Sequence, residues 1–135
     1  MARLILDTGV LIAGVRGRID VATMADADDV AIPALAVAEY LAGVRLDPDP
    51  GRAAAQRAFL EEVLQVLPLY DYDRAVADHH AALLAHVQRT GTRRGAHDLI
   101  IAATARAADR IVLTTDENAR FGELPDVRVR LVGRS

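Results

Sequence analysis

Four acidic residues stand where acids are costly. Asp7 ends the apolar run Arg3-Leu4-Ile5-Leu6, and Asp116 follows Arg110-Ile111-Val112-Leu113 after the threonines Thr114 and Thr115. Glu39 lies within Ala36-Val37-Ala38-Glu39-Tyr40-Leu41 and Asp98 within His97-Asp98-Leu99-Ile100-Ile101-Ala102, both otherwise apolar enough to be core. A carboxylate in such surroundings must be protonated, paired with a cation or bound to a metal, because leaving it buried and bare costs several kcal/mol. Converging carboxylates repel, and a divalent cation is the usual means of keeping more than one ionised. Hard oxygen ligands without cysteine select Mg2+ or Mn2+ over zinc. Two such ions roughly 4 Å apart can activate a water and steady the leaving oxygen of a phosphodiester, so the chemistry implied is metal-assisted hydrolysis. Taken singly, each acid has a plainer explanation: Asp7 or Asp98 as a helix cap, Asp116 as a turn former, Glu39 as the partner of a nearby arginine. Together, on four separate elements, they point to a site.

The elements that must position these acids alternate between strand-like and helix-like runs, the pattern of an α/β domain with a parallel sheet. Strands are expected at Leu4 to Leu6, Val30 to Ile32, around Val66 to Leu69, at Ile111 to Leu113 and at Val127 to Val132. Helix-like segments fall near Val10 to Gly14, over Asp20 to Ala27 and over Ala34 to Val44, with Leu35, Ala38 and Leu41 marking one face of the last. Asp47-Pro48-Asp49-Pro50-Gly51 reads as a loop, because each proline restrains the residue before it. Residues 52 to 66 resume helix with Ala55, Phe59, Val63 and Val66 in register. Asp73 caps a helix to about Thr90 with Val76, His80, Leu83 and Val87 on its stripe, and Gly91 stops it. A further helix starts near His97, and a short one lies near Glu117 to Arg120. The expectation is one domain over residues 1–135, with about five strands and helices on both faces. In open parallel sheets ligands gather outside the carboxyl ends of the strands, where Asp7 and Asp116 would emerge if their strands are neighbours. Asp98 in the first turn of its helix would have its ionised form favoured by backbone N–H groups. Glu39, from mid-helix, has the reach to join them.

Composition narrows the function classes. At 135 residues the chain can bury on the order of two-thirds of its unfolded surface. With 52% hydrophobic and 4% aromatic residues, the core must be mostly Ala, Val, Leu and Ile. The absence of cysteine excludes disulfides, thiolate zinc sites and a cysteine nucleophile, and fits a cytoplasmic home. No run approaches a membrane span, and a strand within a few residues of Met1 leaves no room for a signal peptide, so secretion is not expected. All 16 basic residues are arginine. Without lysine, the phosphoaspartyl enzymes of the haloacid dehalogenase type and the response-regulator receivers are disfavoured as readings of Asp7. The lack of a second Asp two residues later argues the same way for the former. The net charge of −3 decides little about nucleic acid, since several of the 19 acids are those named and bound cations would offset them.

The opening Leu4-Ile5-Leu6-Asp7-Thr8, Glu39 after Pro33, the helix start His97-Asp98-Leu99-Ile100-Ile101-Ala102-Ala103 and the ending Leu113-Thr114-Thr115-Asp116-Glu117-Asn118-Ala119-Arg120-Phe121 resemble the PIN-domain ribonucleases. Order, spacing and length are similar to the VapC toxins of bacterial toxin-antitoxin pairs, over nearly the whole chain. The resemblance implies a three-layer PIN-like α/β fold with a central, mostly parallel sheet. It places the family's metal-binding and catalytic acids on Asp7, Glu39, Asp98 and Asp116, with Thr8 after the first and Thr115 or Thr114 beside the last as polar helpers. It implies Mg2+-dependent (or Mn2+-dependent) cleavage of structured RNA such as tRNA or rRNA, inhibition by a VapB-type antitoxin, and a homodimer. Gly9 departs from the pattern, since many relatives carry Ser or Asn there and glycine offers no side-chain contact.

Arg16 and Arg18 after the first strand, and Arg93 and Arg94 before Asp98, are candidate RNA contacts, which would hold phosphates rather than read bases. The plainer reading is the solvated surface of a lysine-free chain. Tyr40 reads as packed, and His79, His80 and His86 as core or surface residues of one helix. His97 beside Asp98 invites comparison with HD-type phosphohydrolases, but that fold is all-helical. The alternatives carried forward are another metal-dependent phosphohydrolase and a non-catalytic α/β module whose acids dock a basic partner.

Overall fold

The structure, a computed structural model, describes residues 1–132; residues 133–135, the end of the domain expected over 1–135, lie outside the described residues. Strands β1 (Arg3–Leu6), β2 (Asp29–Pro33), β3 (Leu69–Tyr70), β4 (Ile111–Thr114) and β5 (Val129–Leu131) form one sheet in the order β3-β2-β1-β4-β5. Every pairing is parallel. The chain winds outward from β1 through β2 to β3, then returns beside β1 as β4. Its direction reverses between β1 and β4, the switch point at which open α/β sheets hold ligands.

Strand alternation sorts the helices into layers. Leu4 and Leu6 of β1 and Val30 and Ile32 of β2 pack with residues of α1 (Thr8–Val15), α2 (Val21–Ala27), α3 (Ala34–Leu46) and α4 (Pro50–Val66). Ile5, Ala31 and Val112 point to the opposite face, against α5 (Arg74–Thr90) and α6 (Ala96–Ala108). Ala102, Ala103 and Ala105 of α6 are buried there, small enough to let the helix lie close on the sheet. The expected three-layer α/β architecture is therefore present, with a wholly parallel sheet.

Aspartates open the helices where local chemistry says they should. Asp20 accepts from Thr23 N–H at 3.2 Å, Asp49 from Gly51 N–H at 2.9 Å, and Asp73 from Val76 N–H at 2.9 Å. Gly91 ends α5 in the left-handed conformation, φ 68°. The segment 47–51 is not all loop as expected: α4 already begins at Pro50, since a proline at the first helical position gives up an N–H that has no partner there anyway.

Two apolar stripes are rotated from those expected. In α3 the buried residues are Ala36, Tyr40 and Val44, while Ala38 is exposed. In α4 they are Leu60 and Val63, continued by Leu67 beyond the helix, and Val66 is 67% exposed. In α5 the expected stripe is present: Val76 and Leu83 are buried and Val87 packs partly against the core, while His80 is half-buried with its Nδ1 2.8 Å from the Tyr72 hydroxyl. The rotation of α4 explains why the strand expected around Val66 to Leu69 is β3 at Leu69–Tyr70: Val66 is still helical and Leu67 turns into the core. The last strand is likewise shorter than expected, because Val127 is buried before the ladder begins at Val129.

At the amino edge of the sheet, opposite the acids, the buried Arg110 binds β1, β2 and β3 together. Its guanidinium donates to Leu4 O at 3.1 Å, Asp29 O at 2.9 Å, Asp29 Oδ1 at 3.0 Å and the Tyr70 hydroxyl at 3.1 Å.

The register of α4 is testable by stability. Leu60→Ala, at a site 1% exposed, is expected to cost about 2–5 kcal/mol in urea unfolding, whereas Val66→Ala should stay within about 0.5 kcal/mol. The reverse order would contradict the burial described.

Candidate active site

β1 and β4 pair with Leu6 opposite Leu113, so the next residues of both strands leave the sheet side by side. Asp7 N–H donates to Leu113 O at 2.9 Å, and Thr114 Oγ1 donates to Asp7 Oδ2 at 2.8 Å. Thr114 Oγ1 also accepts from Asp116 N–H at 3.0 Å, so one buried hydroxyl links the first acid to the backbone of the last. Asp7 Oδ1 accepts from Thr8 N–H at 2.7 Å at the start of α1, and Asp116 Oδ1 accepts from Asn118 N–H at 2.8 Å at the start of a 3-10 turn. Both aspartates thus cap local structure and stand at the switch point as well. Among the described residues Glu39 pairs with no arginine. Its Oε1 accepts from Thr8 Oγ1 at 2.7 Å, and its Oε2 lies 2.9 Å from His97 Nδ1. Asp98 occupies the first turn of α6.

The four acids feel one another. Burial first, then the charges of Asp7, Asp116 and Glu39, push the Asp98 carboxyl up to about 6, against a smaller opposing influence of His97. The expectation that helix N–H groups would favour ionised Asp98 therefore gives way to burial and like charge. Asp7 is also raised, chiefly by burial and further by Glu39 and Asp116, although the hydrogen bonds from Thr114 and Thr8 N–H pull it down.

The chain's residues 4–126 match the PIN domain. It belongs to the PIN-domain family. The PIN domain is 28% identical to Ribonuclease VapC of Rickettsia bellii (strain RML369-C) over 129 residues, 96% of each chain. Among solved structures it is similar to VapBC-5 from Mycobacterium tuberculosis, a member of the VapBC family of toxin-antitoxin systems, with TM-score 0.76, 29% identity and 98% of both chains covered. Its fold also matches VapBC2 from Rickettsia felis, bound to a DNA fragment from the promoter, with TM-score 0.84 at 19% identity, covering 96% of this chain and 98% of that one.

The donor set of this PIN domain suits a hard divalent cation: carboxylate oxygens, close enough to raise one another's affinity for positive charge. As they stand, no three His, Asp or Glu side chains among the described residues converge tightly enough to hold an ion. Arg16, Arg18 and Arg93 are exposed, and Arg16 lines a groove together with Glu39. Arg94 is not available to a phosphate as expected. Its guanidinium is buried and donates to Ala119 O at 3.0 Å and Arg120 O at 2.8 Å, which ties the loop before Asp98 to the turn after Asp116. Of the two threonines, Thr114 makes the contacts to the acids. Thr115 instead fills the space beside Gly9, where an added Cβ would clash with Thr115 Oγ1. Sequence reasoning missed His97 as a partner of Glu39; its place beside Asp98 in a first helical turn was the available signal. Tyr40 is packed as expected, its hydroxyl donating to Gln56 O at 2.7 Å.

Two measurements test this arrangement. Since Asp98 is raised above its ordinary 3.8, its contribution to the stability of the metal-free protein is expected to be lost as pH rises from about 4 through about 6. The stability gained by Asp98→Asn should accordingly grow from nothing near pH 4 to its maximum by pH 7; parallel unfolding curves across that range would contradict the cluster. Gly9→Ala should cost about 1–3 kcal/mol by crowding Thr115, and Thr115→Ala in the same chain should recover most of it.

Proposed function

We propose that this PIN domain is a VapC-type toxin, an endoribonuclease that hydrolyses phosphodiester bonds of structured RNA with Mg2+ or Mn2+ and is neutralised by a VapB-type antitoxin. The observation that carries the reading is the arrangement at the switch point, where Asp7 and Asp116 follow the paired strands β1 and β4 and Glu39 is hydrogen-bonded both to Thr8 beside Asp7 and to His97 beside Asp98. The likeness to a protein named a ribonuclease over 96% of the chain supports the substrate class. Asp7, Glu39, Asp98 and Asp116 would hold the cation. When bound, a divalent cation supplies charge neutralisation to the carboxylates and Lewis acidity toward water and phosphodiester oxygens.

The chain's own residues supply the frame. Thr114 and Thr8 N–H hold Asp7 in place through both its oxygens. Thr8 orients Glu39. Arg16, Arg18 and Arg93 offer charge to RNA phosphates, which position the strand without reading its sequence. For the antitoxin, a groove of about 640 Å3 runs between α1, α3 and α4, with Ile12, Val15, Val44 and Leu46 on its apolar lining and Glu39 and Arg16 among its polar groups. An apolar antitoxin segment laid there would reach the acids. For the homodimer we assign the shallow apolar groove of Leu35, Ala38, Tyr70, Tyr72 and Ile100. Among the described residues no helix is long and apolar enough to cross a membrane, and the reading places the toxin in the cytoplasm with its RNA.

The decisive assay is cleavage of structured RNA by purified protein with Mg2+ or with chelator. Asp7→Asn is expected to lower cleavage by about 100-fold or more while circular dichroism stays unchanged. Water as nucleophile predicts 5′-phosphate and 3′-hydroxyl ends. Full activity of Asp7→Asn, or 2′,3′-cyclic phosphate products, would overturn the mechanism, and cleavage of no RNA under any divalent metal would favour the non-catalytic docking module.

A further inference from the structure

We propose that His97 is a positioning residue of the hydrolytic site, fixing the Glu39 carboxylate so that the chain Thr8, Glu39, His97 sets the spacing between Asp7 and Asp98. The inference rests on the metal-nuclease reading above and deepens it. A glutamate projecting from mid-helix has several rotatable bonds, and its side chain here is 30% exposed, so nothing in α3 itself holds its head in one place. Two donors do. Thr8 Oγ1 donates to Oε1 at 2.7 Å, and the Nδ1–H of His97 donates to Oε2 at 2.9 Å.

The two donors come from different elements, and each is the chain neighbour of another acid. Thr8 follows Asp7 at the start of α1, and His97 precedes Asp98 in the first turn of α6. Glu39 is thereby a crosspiece between two layers of the fold, since α1 and α3 lie on one face of the sheet and α6 on the other. Neither the Thr8 nor the His97 side chain makes another hydrogen bond among the described residues. The His97 side chain is 60% exposed, so it is not a core residue retained for packing. What it contributes, it contributes through Glu39. Groups that orient metal-binding carboxylates and histidines commonly affect metal affinity or activity by 10–100-fold when removed, roughly the effect expected here.

The test is Mn2+ binding to the purified full chain without RNA, read by electron paramagnetic resonance, together with melting temperature. His97→Ala is expected to weaken Mn2+ binding about 10–100-fold with the melting temperature unchanged. His97→Asn, whose side-chain amide N–H lies about where Nδ1–H does, should restore binding, while His97→Gln, whose amide reaches toward the Nε2 position, should not. In a Glu39→Gln background His97→Ala should have little further effect. Binding indifferent to His97, equal loss in His97→Ala and His97→Asn, or an undiminished loss in the Glu39→Gln background would overturn the inference while Mn2+ binding still depends on Asp7. Wild-type protein that binds no Mn2+, or binding that survives Asp7→Asn, would overturn the metal reading and this inference with it.

Discussion

Leu6 pairs with Leu113, and the chemistry of the molecule depends on that register. Because the strands are parallel neighbours, both deliver an acid-bearing turn to the same edge, and because the chain reverses direction between them, no crossover helix fills the gap. Thr114 occupies the seam, donating to Asp7 and accepting from the Asp116 backbone. A slip of one residue would turn Thr114 to the other face of the sheet and leave the Asp7 carboxylate without its buried donor. The sites on α3 and α6 are then brought in from opposite layers, and the contacts of Glu39 join them.

The two ends of the sheet solve opposite electrostatic problems. At the amino edge a buried guanidinium meets carbonyls and the Asp29 carboxylate, so its charge is satisfied on several sides. At the carboxyl edge the charges are alike, and burial raises Asp7 and Asp98 together. Hydrogen bonds from Thr114 and Thr8 N–H offset part of the strain at Asp7, whereas among the described residues only His97 counters it at Asp98. Such a cluster opposes folding at neutral pH in the absence of a cation, which is a common property of sites whose geometry serves a ligand rather than stability. The surrounding fold carries that cost through ordinary means: aspartate caps on α2, α4 and α5, and helices of alanine packed closely on the sheet.

Much of this was legible in the chain. The alternation of strand-like and helix-like runs gave the α/β architecture, because period and turn chemistry are local properties. Asp20, Asp73 and Gly91 marked helix ends for the same reason. The acids were visible because charge inside an apolar run is conspicuous. The apolar faces of α3 and α4 were less so. In a chain this rich in Ala, Val and Leu several stripes satisfy the helical period, and the choice of Leu60 rather than Val66 to join Val63 in the core is made by the neighbours each face meets. Proline at the first helical position was likewise compatible with both loop and helix.

By itself the sequence determined the class of fold, the identity of the acids and the absence of thiol and lysine chemistry, since each follows from residue type and short-range spacing. Only the tertiary structure decided which groups touch them. Arg94 is close in sequence to Asp98, yet the fold directs it to the carbonyls of Ala119 and Arg120. Thr114 rather than Thr115 reaches the acids because the strand's alternation turns it inward, leaving Thr115 in the space that Gly9 vacates. Glu39 meets Thr8 and His97, 31 and 58 residues away, and the raised Asp98 carboxyl comes first from burial and then from charges on three other elements. Contacts of that kind are products of long-range packing, and no local pattern encodes them.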